Sequence, residues 1–178
     1  MKEDSEPASV SSEPEREGCA AAVTVLGIGN LIAGDDGFGI HALRELQERV
    51  GAGTAPGLVE FVDGGVLGLD LLTVVEAAEC LLVLDVVDAG LEPGAIAELS
   101  VDRIAAPRSG RLSVHQVAFN DLVALARLRC RLPRDFVLLG VQPASTATSD
   151  QLTPRVQAAL LPVIERSLQI LRSWGAPA

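Results

Sequence analysis

Five residues of this chain have the types and positions to do chemistry. Asp35 and Asp36 are adjacent at the end of a glycine-rich turn, Asp63 precedes Gly64-Gly65, Asp85 sits within Leu81-Leu-Val-Leu-Asp-Val-Val87, and His115 follows Ser113-Val114. Carboxylates with one imidazole and no thiolate suit a borderline divalent cation such as Ni²⁺ or Zn²⁺. Two carboxylates and a histidine leave coordination positions open for water or a substrate. Asp85 has the strongest local case, because an ionised carboxylate in an apolar run is costly unless paired or metal-bound. Each residue also has a plainer reading. Asp35 or Asp36 could cap a helix, where negative charge is favoured, and Asp36 is the better placed of the two to face the strand ends. Asp63 could be a turn residue, Asp85 a hydrogen-bonded structural aspartate and His115 a capping-region residue. Asp88 reads as shaping a hairpin, and His41 as a surface or partly buried helix residue.

The turn itself is Val23-Thr-Val-Leu-Gly-Ile-Gly-Asn-Leu-Ile-Ala-Gly-Asp-Asp-Gly-Phe-Gly39, an apolar strand running into glycines and then a helix. Gly27-x-Gly29 alone suggests a nucleotide-binding turn. A dinucleotide fingerprint requires a third glycine where Ile32 stands, and no Gly-Lys-Ser/Thr follows. Carboxylates aimed into such a turn would repel phosphate. No serine lies in a Gly-x-Ser-x-Gly elbow, and no cysteine pairs with a base.

The elements that must position these residues follow from periodicity. A β-rich run at 21–29 leads to a helix over about 36–50, with Ile40, Leu43, Leu46 and Val50 at helical spacing. Gly51 to Gly57 is a loop, Val59–Asp63 a second strand, about 67–78 a helix, and Leu81–Val87 the most apolar strand. The link Asp88–Gly94 is too short for a helical crossover, so a strand near Ala95–Val101 is expected to pair antiparallel as a hairpin. A loop at 103–112, a helix at about 114–130 and a strand at Phe136–Val141 follow. A last helix over about 154–173 has Thr153 as N-cap and Pro154 at its first position. It offers Val156, Leu160, Val163, Leu168 and Leu171 to a sheet.

This order predicts a three-layer α/β/α sandwich around a mostly parallel five-stranded sheet with one antiparallel strand. Ligands of such sheets bind outside the carboxyl ends of the strands, which is where Asp36, Asp63 and Asp85 fall. The ten residues 103–112 can reach about 33 Å, enough to recross the sheet. The helix at 114–130 then starts at the carboxyl edge, and His115 joins the carboxylates.

Composition narrows the class. The chain has 178 residues, enough for one domain with a sizeable core. A single domain is expected over 20–175, after a disordered acidic tail over 1–19 rich in Ser, Glu and Pro. Net charge is −10, and the 18 acidic and 12 basic groups beyond residue 18 still leave −6. That excludes a nucleic-acid backbone as partner, which requires a basic face. No apolar run approaches the roughly 20 residues of a membrane span, and the charged start lacks the apolar segment of a secretory signal. A cytoplasmic location and no membrane partner are expected. The three cysteines, Cys19, Cys80 and Cys130, form no Cys-x-x-Cys pair; Cys80 and Cys130 read as buried small apolar residues.

Taken together, the motifs resemble the hydrogenase maturation endopeptidases, which trim the C-terminus of the large subunit of nickel–iron hydrogenases. The matching pieces are Gly27-Ile-Gly-Asn-Leu-Ile-Ala-Gly-Asp-Asp-Gly-Phe-Gly39, Val62-Asp-Gly-Gly65, Asp85-Val-Val-Asp-Ala-Gly-Leu-Glu-Pro-Gly94, Ser113-Val-His-Gln116 and Gly140-Val-Gln-Pro143. They occur in the family's order and cover about residues 22–173. The resemblance implies that Asp36, Asp85 and His115 contact a metal, with Asp36 a shorter variant of a position that is often Glu. Asp63 matches a further acidic position that would handle a proton or a water. It also implies nickel supplied by the substrate rather than a resident cofactor, a hydrogenase large-subunit precursor as partner, and cleavage after nickel insertion. A monomer is the expected state. A nickel-sensing assembly chaperone without cleavage activity is the rival reading, and a nucleotide-binding enzyme built on Gly27-x-Gly29 is a third.

Overall fold

Five strands form one sheet in the order β2-β1-β3-β5-β4. The computed structural model describes residues 22–51, 59–104 and 114–176, with the backbone alone for 114–118. The acidic tail read over 1–19, most of the loop after Gly51 and residues 105–113 lie outside them. Strands β1 (Val23–Ile28) and β3 (Cys80–Val86) are central, parallel and buried at every position. Continuous Val/Leu runs are what strands covered on both faces require. Strand β2 (Val59–Gly65) pairs parallel with β1, and β5 (Asp135–Val141) parallel with β3. Strand β4 (Ile96–Leu99) is antiparallel to β5.

Two cores lie on the two faces. On one, Val23, Val25, Leu82, Leu84 and Leu139 pack with Phe38, Leu43 and Leu46 of α1 (Phe38–Gly51), and with Val163, Ile164 and Leu171 of the C-terminal helix. On the other, Leu26, Leu81, Val83 and Leu138 pack with Val75 of α2 (Leu72–Ala77), and with Leu122 and Val123 of α4 (Val114–Leu128). The result is the α/β/α sandwich expected, with a mixed five-stranded sheet. Among the described residues no helix is long and apolar enough to cross a membrane.

Three local expectations differ from the structure. The antiparallel strand does not lie beside β3, because β5 takes that edge. The link after β3 instead crosses the end of β5, held by Gly94 N–H to the Gln142 carbonyl and Gln142 N–H to the Ala95 carbonyl (2.8 and 2.9 Å). The strand is also shorter than 95–101, since α3 (Val101–Ile104) begins at Val101. The last helix is two pieces, α5 (Pro154–Gln157) and α6 (Leu160–Ser173). Pro162 explains the break: it has no N–H for the Ala158 carbonyl and its ring crowds that carbonyl, so the helix restarts with Pro162 in its first turn. Cys130 is exposed, not buried. Helix α4 ends in paired bonds from Arg131 N–H to Ala126 O and Cys130 N–H to Arg127 O. That cap puts Cys130 outside the helix at φ 54°.

The glycines of the turn after β1 serve packing. A Cβ on Gly27 would lie 2.7 Å from the Gly39 carbonyl oxygen and 2.8 Å from Leu43 Cβ. A Cβ on Gly39 would collide with the carbonyl oxygens of Ile28 and Leu84. Bare backbone on both sides lets the start of α1 rest directly on the ends of β1 and β3. Gly39→Ala should therefore lower the unfolding free energy by about 2–3 kcal/mol, read by urea denaturation, because the obstructing atoms are backbone and cannot swing aside. A change within about 0.5 kcal/mol would mean that this helix seat is loose.

Candidate functional site

The site is built where β1 and β3 end. After Gly29 the chain folds back so that Asn30 N–H bonds the Asp36 carbonyl (3.2 Å), and a 3-10 turn (Gly34–Gly37) carries both aspartates into α1. Asp35, Asp36 and Asp85 are all buried, at 0%, 5% and 3% exposure. Asp35 does not cap α1. Its Oδ2 accepts from Ala144 N–H (2.8 Å), Ser145 N–H (2.9 Å) and Thr153 Oγ1 (3.0 Å), and its Oδ1 from Thr153 N–H (2.7 Å). Four donors satisfy a carboxylate that burial would otherwise penalise. Asp35 thereby ties the segment after β5 to the turn after β1. Thr153 occupies the N-cap position of α5, but no side-chain cap bond forms and its hydroxyl goes to Asp35.

Asp85 is the penultimate residue of β3. Its Oδ1 accepts from Val86 N–H at 2.7 Å. Burial, and to a smaller extent the charge of nearby Asp36, push its carboxyl well above the ordinary 3.8, against the opposing effect of that bond. The turn that carries Asp36 packs against β3, with Gly39 against the Leu84 carbonyl, so both aspartates stand at the end of that strand. Directly across on β5 stands Gly140, which offers no side chain.

Alternation along the strands puts Asp63 and Asp85 on opposite faces of the sheet. Asp63 follows Val59 and Phe61 on the α1 face, whereas Asp85 follows Leu81 and Val83 on the α4 face. Asp63 is exposed, accepts from Gly65 N–H (3.1 Å) and faces Arg44 of α1 at 3.5 Å. His115 is the second residue of α4. That helix covers the face on which Asp85 lies and feeds β5, which runs parallel to β3, so its first turn is at the carboxyl edge. The side chain of His115 lies outside the described residues. Among those residues no group of three or more His, Cys, Asp and Glu is gathered closely enough for a metal; the Asp36–Asp85 pair needs a third donor to make one.

Sequence reasoning missed two residues. One is the anchoring role of Asp35. The other is Gln142, which stands at the end of β5 and is buried. Its Oε1 accepts from Ala89 and Leu91 N–H (2.9 and 3.1 Å), and its Nε2 donates to Asp88 Oδ1 (3.1 Å). Asp88 also accepts from Gly90 N–H, in a link that crosses the end of β5 rather than in the hairpin expected. A polar side chain directly after an apolar strand was the available signal for Gln142. His41 is half-buried, as read. It lines a cleft of about 490 Å³ with Asp150, Gln151, Leu152, Pro154 and Gln157, apart from the acid pair. Burial and the Arg44 charge lower its pKa.

Fold and site define an α/β protein with a desolvated carboxylate pair at the carboxyl edge of its sheet, suited to taking a cation or passing a proton. A family model for hydrogenase maturation protease matches residues 40–170. The chain is 37% identical over 157 residues to hydrogenase expression/formation protein HupD of Bradyrhizobium diazoefficiens, across 86% of this chain and 79% of that protein. It is 31% identical over 157 residues to the hydrogenase 2 maturation protease of Escherichia coli, across 88% and 94%. A solved endopeptidase from Escherichia coli superimposes with a TM-score of 0.77 at 29% identity, covering 87% of this chain and 94% of that one. The chain belongs to the hydrogenase maturation protease family, and so to the peptidases among hydrolases.

Folding raises the Asp85 pKa, so the native state keeps a proton that the unfolded chain releases. The associated stability is complete below about 3.8 and is lost as pH rises through the higher folded-state value. Asp85→Asn retains an acceptor for Val86 N–H and removes that loss. The variant should be more stable than wild type at pH 8, with the advantage shrinking toward pH 4. Urea unfolding across that range is the check, and an Asn variant less stable at pH 8 would contradict the assignment.

Proposed function

We propose that this chain is an endopeptidase that removes the C-terminal extension of a nickel–iron hydrogenase large-subunit precursor once nickel has been inserted. Asp36, Asp85 and His115 recognise the substrate-bound nickel. The observation that carries this reading is the buried Asp85 beside Asp36 in a member of the hydrogenase maturation protease family. Two carboxylates out of water repel each other, and one keeps its proton unless a cation arrives. A cation brought by the precursor removes that repulsion and frees the proton of Asp85, because metal binding requires the deprotonated ligand. A metal-free precursor leaves the pair partly protonated. The acid pair thus distinguishes loaded from unloaded substrate by electrostatics, with the nickel belonging to the substrate.

In this reading His115, the second residue of α4, is the imidazole donor that two carboxylates lack. Asp63, on the solvent side of the sheet edge, handles a proton or a water rather than the metal. The protein works as a cytoplasmic monomer in this reading.

The test incubates pure protein with nickel-loaded and nickel-free precursor and weighs the products by mass spectrometry. Only the loaded form should lose its C-terminal peptide, and Asp85→Asn should slow processing at least about 100-fold while remaining folded. Binding of loaded precursor with no peptide released would instead make the chain a nickel-sensing chaperone. Equal processing of both forms would remove nickel recognition.

A further inference from the structure

Five large apolar side chains at the carboxyl edge are exposed to water: Ile32 after β1, Val66, Leu67 and Leu69 after β2, and Leu91 after β3. These strands are neighbours, and strands lie about 4.8 Å apart, so the three loops leave a stretch roughly 10 Å wide around Asp36 and Asp85. The only other large apolar side chains exposed to this degree among the described residues are Ile96, Leu128 and Leu161, on β4, α4 and α6. The loops are pinned. Leu91 N–H is held by Gln142, Ser149 N–H bonds the Ile32 carbonyl (3.1 Å), and Leu67 both bonds Gly64 O and receives Asp70 N–H. A shallow apolar pit lined by Ile28, Val66, Gly68, Leu71 and Phe119 adjoins them. Apolar groups fixed in water at a loop edge mark an interaction surface.

Among the described residues, the loops that follow the strands at this edge carry charge of one sign. Segments 29–37, 63–71, 87–95 and 142–153 contain seven carboxylates and no Lys or Arg. Arg44 reaches in to Asp63 and Arg155 to Glu92, at 3.5 and 3.7 Å; Asp70 and Asp150 remain exposed on the edge.

We propose that this rim is the docking surface for the precursor segment carrying the scissile bond, and that the segment has apolar residues interspersed with Lys or Arg. The proposal rests on the function proposed above and adds the chemistry of what the site grips. Complementarity requires both properties. The apolar side chains bury Ile32, Leu67, Leu69 and Leu91, and the basic ones meet the unbalanced carboxylates, which also speed encounter. Because the loops are fixed by Gln142 and by backbone bonds, little ordering is needed on binding.

Binding of the full chain to the nickel-loaded large-subunit precursor from the same genome tests this by biolayer interferometry at low and high salt. Leu67→Ser with Leu69→Ser should weaken binding about tenfold, and so should Asp70→Lys with Asp150→Lys, the second pair also flattening the salt dependence. Circular dichroism checks that each variant is folded, and Leu91→Ser provides an independent position. Wild-type affinity in all three, or no binding by wild type, overturns the proposal. Loss of self-association by sedimentation with precursor binding intact also overturns it, since the occupant would then be a second copy. Rim-dependent binding without release of a peptide leaves the rim standing and removes the peptidase reading.

Discussion

A carboxyl group taken out of water at the end of a central strand, beside a second carboxylate, is the constraint on which this structure turns. Asp85 owes its burial to the apolar strand around it and to the helices covering both faces of the sheet. Asp36 owes its position to the glycine-on-glycine seat between α1 and the strand ends. The seat packs the helix, but the burial of Asp85 opposes its ionisation. Burial disfavours the ionised form of Asp85 and Asp36 disfavours it further, so the molecule holds an unfavourable electrostatic arrangement at its reactive edge. Such an arrangement is expected where function requires a perturbed carboxyl.

Other polar side chains near the edge have the opposite character. Asp35, next in sequence to Asp36, is as deeply buried yet receives four hydrogen bonds. Gln142 fixes the loop that follows Asp85. Two adjacent aspartates thus divide the work: Asp35 locks the turn to the segment after β5, and Asp36 is held next to Asp85. With these anchors the loops around the acid pair are set before anything binds.

Much of this was legible in the sequence because it rests on local patterns. The alternation of apolar strands with amphipathic helices gave the layers. The edge to which Asp36 and Asp85 go follows from strand direction alone. What escaped depends on long-range pairing. That β5 would insert between β3 and β4 is not written in the Asp88–Gly94 link, which serves either neighbour. The partners of Asp35 lie more than a hundred residues away, so helix capping looked the simpler role. Asp63 shares the sheet edge with Asp85 but lies on the opposite face, a matter of alternation along β2 and β3. The break before α6 was readable, since Pro162 stands where a continuous helix would require its N–H.

The account stands most directly on the protonation of Asp85. Titration of its side-chain carboxyl carbon by NMR, in wild type and in Asp36→Asn, measures burial and charge repulsion separately. The account predicts a wild-type midpoint well above that of an ordinary aspartate, moving down when Asp36 is neutralised. A midpoint near the ordinary 3.8 in both proteins would contradict it.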